Sequence, residues 1–150
     1  MQKSARSGRR LLLRGWDDDI GRRSRWFNPK LERVVETAFP QYGEIYDVDL
    51  DPVIGSETGK LRPALVVSND IGNQYSDTVT VLPITGQPAK KLYPFEVFVP
   101  KGVSGLTADS RIKANQIRTV DKIRLVGLRG SLPSRYLSQA KKAIDTHLGP

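Results

Sequence analysis

Few side chains in this 150-residue chain have the types and spacing for catalysis. There is no cysteine, which excludes a disulfide framework and thiolate metal sites. The single histidine, His147, sits near the chain end, where it reads as a surface residue on the last turn of a helix. Asp47, Asp49 and Asp51 fall two residues apart and share a strand face, but the glycine, glutamate and further oxygen ligands of a calcium loop are missing, so no metal is expected. Walker-type and dinucleotide glycine motifs, Cys/His zinc spacings and internal repeats are absent. What remains is Arg62 immediately before Pro63, Thr85 at the end of VTVLPIT, and Ser56 in the glycine-flanked loop GSETG. A guanidinium can fork two N–H bonds to phosphate oxygens and a hydroxyl can donate one. On pattern alone, such residues at strand ends and in loops are more often turn and cap residues.

The elements that must hold them follow in order. GEIYDVDLDP predicts a half-buried strand in which Tyr46, Val48 and Leu50 alternate with Ile45, Asp47 and Asp49, with its acids facing water and Pro52 as its end. Gly55 to Gly59 is then a mobile loop over one face of the sheet. Ala64 to Val67 reads as a strand buried on both sides, and Val79 to Ile84 as the next, stopping at Thr85. Tyr93, Phe95, Val97 and Val99 predict one face of a further strand, and KGVSGLTADS a second polar loop. Ser110 to Arg118 reads as a strand with Ile112 and Ala114 inward and Arg111, Lys113 and Asn115 outward. Leu125, Val126 and Leu128 make a short last strand. Pro133 to Leu148 predicts a helix with Leu137, Ala140, Ile144 and Leu148 on its buried face. About five mostly antiparallel strands and one terminal helix make a small barrel-like α+β domain.

The chain is one domain's length, and its apolar fraction of 38% suits a compact domain with a polar appendage. Of the formal charge of +8, residues 1–40 carry +5, from ten basic and five acidic residues, which leaves +3 for the rest. A nucleic-acid partner therefore does not follow from charge alone. Residues 1–40 read as a basic, largely disordered extension with a short helix over 29–38, capped by Asn28, opened by Pro29 and stopped by Pro40. The apolar clusters are too short to span a bilayer or to form a signal-peptide core, and the protein is expected to be soluble and cytoplasmic.

Four blocks, GEIYDVDLDP, GSETGKLRPALVVSND, VTVLPIT and NQIRTVDKIRL, make residues 43–148 resemble the MazF/PemK family of bacterial toxins. The resemblance implies an SH3-like antiparallel β-barrel with a C-terminal helix. It also implies a homodimer whose groove holds single-stranded RNA, and an antitoxin partner whose acidic, disordered tail lies across that groove. The implied activity is metal-independent, cofactor-free endoribonuclease cleavage of mRNA. It puts the catalytic residues at Arg62 and Thr85 and substrate contacts at Ser56, Ser110 and Gln116. Two departures stand out: Leu61, with Lys60 ahead of it, replaces a common second arginine, and Asn115 stands where an acid is common. Family members usually start close to Gly43, so residues 1–40 are an extension: either translation begins further on, or a basic arm holds nucleic acid. A non-catalytic RNA-binding barrel and a gyrase-trapping toxin of related fold are the competing readings.

Without a catalytic histidine, the chemistry that fits has the substrate's own 2′-hydroxyl attack the adjacent phosphorus. The protein then supplies positioning and positive charge. Arg62 is expected to balance phosphorane charge more than to move a proton, because a guanidinium loses one reluctantly. The products would be a 2′,3′-cyclic phosphate and a 5′-hydroxyl.

Overall fold

Seven antiparallel strands are held in one sheet in the computed structural model, which describes residues 39–86 and 90–150. The helix expected over residues 29–38 lies outside the described residues. The strands are β1 (Glu44–Asp49), β2 (Leu61–Val66), β3 (Thr78–Thr85), β4 (Glu96–Val99), β5 (Ser110–Lys113), β6 (Arg118–Asp121) and β7 (Leu125–Ser131). Two helices join them, α1 (Asp70–Tyr75) and α2 (Ser134–Leu148). The ladder runs β4-β5-β3-β2-β1-β7, and β6 pairs with the far end of β3.

The alternation of side chains sends each central strand into two cores. Tyr46, Val48 and Leu50, Ala64 and Val66, and Val79 and Val81 point to one cluster, which Val120 of β6 and Leu125 of β7 complete. Residues from both flanks of the sheet meet there, so the sheet wraps around this cluster like a barrel wall. Ile45, Leu65, Leu82 and Ile84 point the other way, into a cluster closed by Tyr136, Ala140 and Ala143 of α2. Each fully buried aliphatic side chain contributes about 1.5–3 kcal/mol. The run Ala64 to Val66 is buried on both sides as its sequence implies. Ile45 is fully buried under α2, while Asp47 and Asp49 of its row reach toward water as their alternation implies.

The segment expected as one strand from Ser110 to Arg118 breaks at a 3-10 turn, Ala114–Gln116. Ala114 is buried and donates its N–H to Phe95 O at 3.0 Å, and Ile117 N–H closes back on Ala114 O at 3.2 Å. The break lets β3 take two partners: Ile84 and Thr85 pair with Ile112 and Arg111 of β5, while Thr78 to Val81 pair with Asp121 to Arg118 of β6. The expected strand from Tyr93 shortens to Glu96–Val99, because Glu96 N–H turns back to Tyr93 O at 2.9 Å. Tyr93 is 45% exposed and stacks on Phe95 at 5.3 Å. The face of α2 is rotated from the expected one: Tyr136, Ala140 and Ala143 are buried, Leu137 and Ile144 flank them, and Leu148 is 63% exposed. Helix α1 was not expected; Asn69 caps it by accepting from Gly72 N–H, and Asn73 is buried with its amide on Ser68 O. Among the described residues, no helix is long and apolar enough to cross a membrane.

Candidate active site

Strands β2 and β3 pair at Ala64↔Pro83, Leu65↔Leu82 and Val66↔Val81. Just beyond the end of this ladder, Arg62 of β2 and Thr85 of β3 line the same cleft. Thr85 in turn pairs with Arg111 of β5. Directly opposed residues share a face, so Thr85 and Arg111 stand side by side, and three neighbouring strands present Arg62, Thr85 and Arg111 to the cleft. Arg62 continues the row of Ala64 and Val66, and Thr85 the row of Val79 and Val81, which line the barrel core. Where that core ends, these polar residues open into a cleft of about 380 Å³, shared with Asp51, Ser56, Lys60 and Lys113.

The cleft's other wall is the loop between β1 and β2. Glu57 folds its tip: its backbone N–H donates to Ile54 O at 3.2 Å, and its carboxylate accepts from Ile54 N–H at 2.8 Å, which leaves Ser56 exposed. Arg62 donates from Nε to Gly59 O at 2.8 Å. Lys60 stands in the left-handed region at φ 68°. Both its backbone groups are held there, the N–H by Asp51 Oδ1 at 2.8 Å and the carbonyl by Leu50 N–H at 3.0 Å. Gly59 must be glycine in this geometry, because a Cβ would lie 2.5 Å from Asp51 Oδ1 and 2.6 Å from Val53 Cγ2.

Ser56, Arg62 and Thr85 therefore come together, and Ser110 and Gln116 do not join them. Ser110 is buried, and its hydroxyl donates to Ala108 O at 2.8 Å, which shapes the end of its own loop. Gln116 lines a neighbouring cleft of about 400 Å³ with Asn115, Ile117 and Arg118; Glu57 and Thr58 form the wall between the two. Its Oε1 accepts from Thr58 N–H at 3.1 Å, so half of the amide expected to contact substrate is engaged with the loop. His147 lies outside the cleft, against the ring of Phe95. The three acids of DVDLD each serve the framework: Asp47 pairs with Arg129 at 2.7 Å, Asp49 accepts from Asp51 N–H at 3.2 Å, and Asp51 holds Lys60. Among the described residues, no group of three His, Cys, Asp or Glu side chains gathers to hold a metal.

Sequence reasoning missed Arg111. Alternation put it outward from Ile112's core, and outward from that core is the cleft. Its Nη1 donates to Glu96, whose carboxylate is buried, at 2.8 Å. That pair offsets one charge and leaves Lys60, Arg62 and Lys113 to set the sign of the cleft against Asp51 and Glu57.

The family described as PemK-like, MazF-like toxin of type II toxin–antitoxin system matches residues 41–148. The endoribonuclease MazF of Staphylococcus saprophyticus is 43% identical over 107 residues, 71% of this chain and 89% of that protein. The crystal structure of MazF from Deinococcus radiodurans superposes with a TM-score of 0.65 at 28% identity, covering 75% of this chain and 98% of that one. A mycobacterial endoribonuclease solved with its cognate antitoxin shares the fold, with a TM-score of 0.61 at 23% identity over 73% of this chain and 95% of that one.

Proposed function

The chain belongs to the PemK-like, MazF-like toxins of type II toxin–antitoxin systems, and on that premise we propose that it is an endoribonuclease that cuts single-stranded RNA without a metal. The observation that supports the reading is that Arg62 of β2 and Thr85 of β3 line one cleft together with Ser56. The substrate's 2′-hydroxyl attacks the adjacent phosphorus and gives up its proton to water, the P–O5′ bond breaks, and the departing 5′-oxygen takes up a proton from water. Arg62 balances the charge on the phosphorane oxygens, and the Thr85 hydroxyl donates to one of them. Ser56, exposed at the loop tip, contacts the strand beside the cleavage point.

A homodimer in the cytoplasm is the working assembly of this reading, with a cognate antitoxin as its inhibitor. An acidic antitoxin segment would complement Lys60, Arg62 and Lys113 in the cleft and compete with RNA for it. The test is cleavage of a single-stranded RNA in EDTA, with end analysis. A 2′,3′-cyclic phosphate and a 5′-hydroxyl are expected, and a substrate with 2′-deoxyribose at the scissile position should resist cutting. A deoxy substrate that is still cut would overturn the mechanism. RNA bound but never cut would favour a binding module.

A further inference from the structure

We propose that Asp51 and Gln116 are positioning residues that clamp the β1–β2 loop on both sides of Gly59 and so fix the guanidinium of Arg62; the inference rests on the nuclease reading. Three consecutive loop residues carry the observation. Thr58 N–H is held by Gln116 Oε1 at 3.1 Å, across 58 positions of sequence. Gly59 O receives Arg62 Nε at 2.8 Å. Lys60 N–H is held by Asp51 Oδ1 at 2.8 Å, and Lys60 O by Leu50 N–H at 3.0 Å. The carbonyl that orients Arg62 therefore lies between two anchored amides.

Lys60 strengthens the case. A lysine at φ 68° is in a region that non-glycine residues avoid, and it stays there only where its surroundings over-determine it. Asp51 and Leu50 supply that constraint. Without Asp51 the residue is free to relax toward negative φ, which would swing the Gly59 carbonyl away from Nε. Gln116 works from the opposite side, from the 3-10 turn Ala114–Gln116. That turn is fixed by buried Ala114, whose N–H is bonded to Phe95 O. The loop is thus tied both to the strand it leaves and to the turn between β5 and β6. Both bonds to the side chains need only an acceptor oxygen, which separates this role from base reading by the Gln116 amide.

The test uses the full chain with Gln116→Ala, Gln116→Glu, Asp51→Ala and Asp51→Asn, each checked by thermal melting. Glutamate and asparagine keep the acceptor, and alanine removes it. The alanine variants should lose about tenfold to a hundredfold in kcat with KM changed less than about threefold, as expected when a catalytic group is misplaced by a fraction of an ångström. The conservative variants should stay near wild type, and the bases flanking the cleavage sites should be the same for all. Amide hydrogen exchange at Thr58 and Lys60 should quicken in the alanine variants only. Gln116→Glu as impaired as Gln116→Ala, or a change in flanking bases, would show that Gln116 reads the substrate and would overturn the proposal. Unchanged exchange in Gln116→Ala would overturn it as well, and that readout holds even where Asp51→Ala does not fold or the wild type does not cut RNA.

Discussion

Arg62 Nε is bonded to Gly59 O, so one N–H of the guanidinium belongs to its own loop, and among the described residues its two terminal amino groups carry no bond. Those groups have the geometry to fork two N–H bonds to an anion. Arg62→Ala is expected to lower the cleavage rate about a hundredfold or more with the melting temperature unchanged, the usual cost of one transition-state donor. Arg62→Lys should be nearly as poor, because an ammonium cannot both hold Gly59 and present two parallel donors. Thr85→Ala should also lose about a hundredfold, and Thr85→Ser should recover most of the rate. Single-turnover cleavage of a defined RNA measures all four, and a folded, fully active Arg62→Ala protein would remove the nuclease reading.

Lys122 is 1% exposed in the 3-10 turn Lys122–Arg124. Burial pulls its pKa down from 10.5 to about 8, against the opposite pull of Asp77 and Asp121. Below about pH 8 the lysine is charged in both states, and its burial cost is fully felt. Between about pH 8 and 10 the unfolded chain holds more protons than the folded one, so stability should rise with pH. Tyr46 acts in the other direction above its ordinary value of 10.0, because burial and Glu44 raise it and the folded state keeps its proton. Urea unfolding at pH 7, 8, 9 and 10 should therefore show a rising midpoint that Lys122→Met flattens. An equal rise in the variant would assign the effect to other groups.

Phe39 is 2% exposed, two residues before the family match begins. The packing that holds the domain read from sequence over residues 41–150 thus includes Phe39. A chain beginning at Gln41 should be less stable than one beginning at Phe39 by about 3 kcal/mol, the scale of deleting a buried phenylalanine. Chemical denaturation of the two compares them directly, and coincident curves would place Phe39 outside the domain.

The parts of the fold that could be read in the sequence are those set by local period. The β2 run, the β3 run ending at Thr85 and the helix to Leu148 all follow from apolar spacing, and Arg62 and Thr85 from the family blocks that surround them. What escaped is set by contacts distant in sequence. Nothing near Gln116 signals that its amide oxygen serves Thr58, and nothing near Arg111 signals Thr85 across the ladder. The turn at Ala114–Gln116 was hidden because its residues keep the alternation of a strand; only the pairing of β3 with two partners demands the break. The burial of Ile45 under α2 is not legible in the sequence, because a period of two tells which residues share a face, not that a helix covers one end of the second face.

Because each residue of β2 belongs to one of two opposed faces, a slip of one place would do two things together. It would turn Ala64 and Val66 out of the barrel core, and it would bring exposed Leu61 into the position of Arg62. Because Leu65 would move into the barrel core as Ala64 and Val66 move into the one under α2, apolar contacts tell the two registers apart only weakly, and the difference falls on the cleft, where an aliphatic side chain would stand in place of the proposed cutting cation.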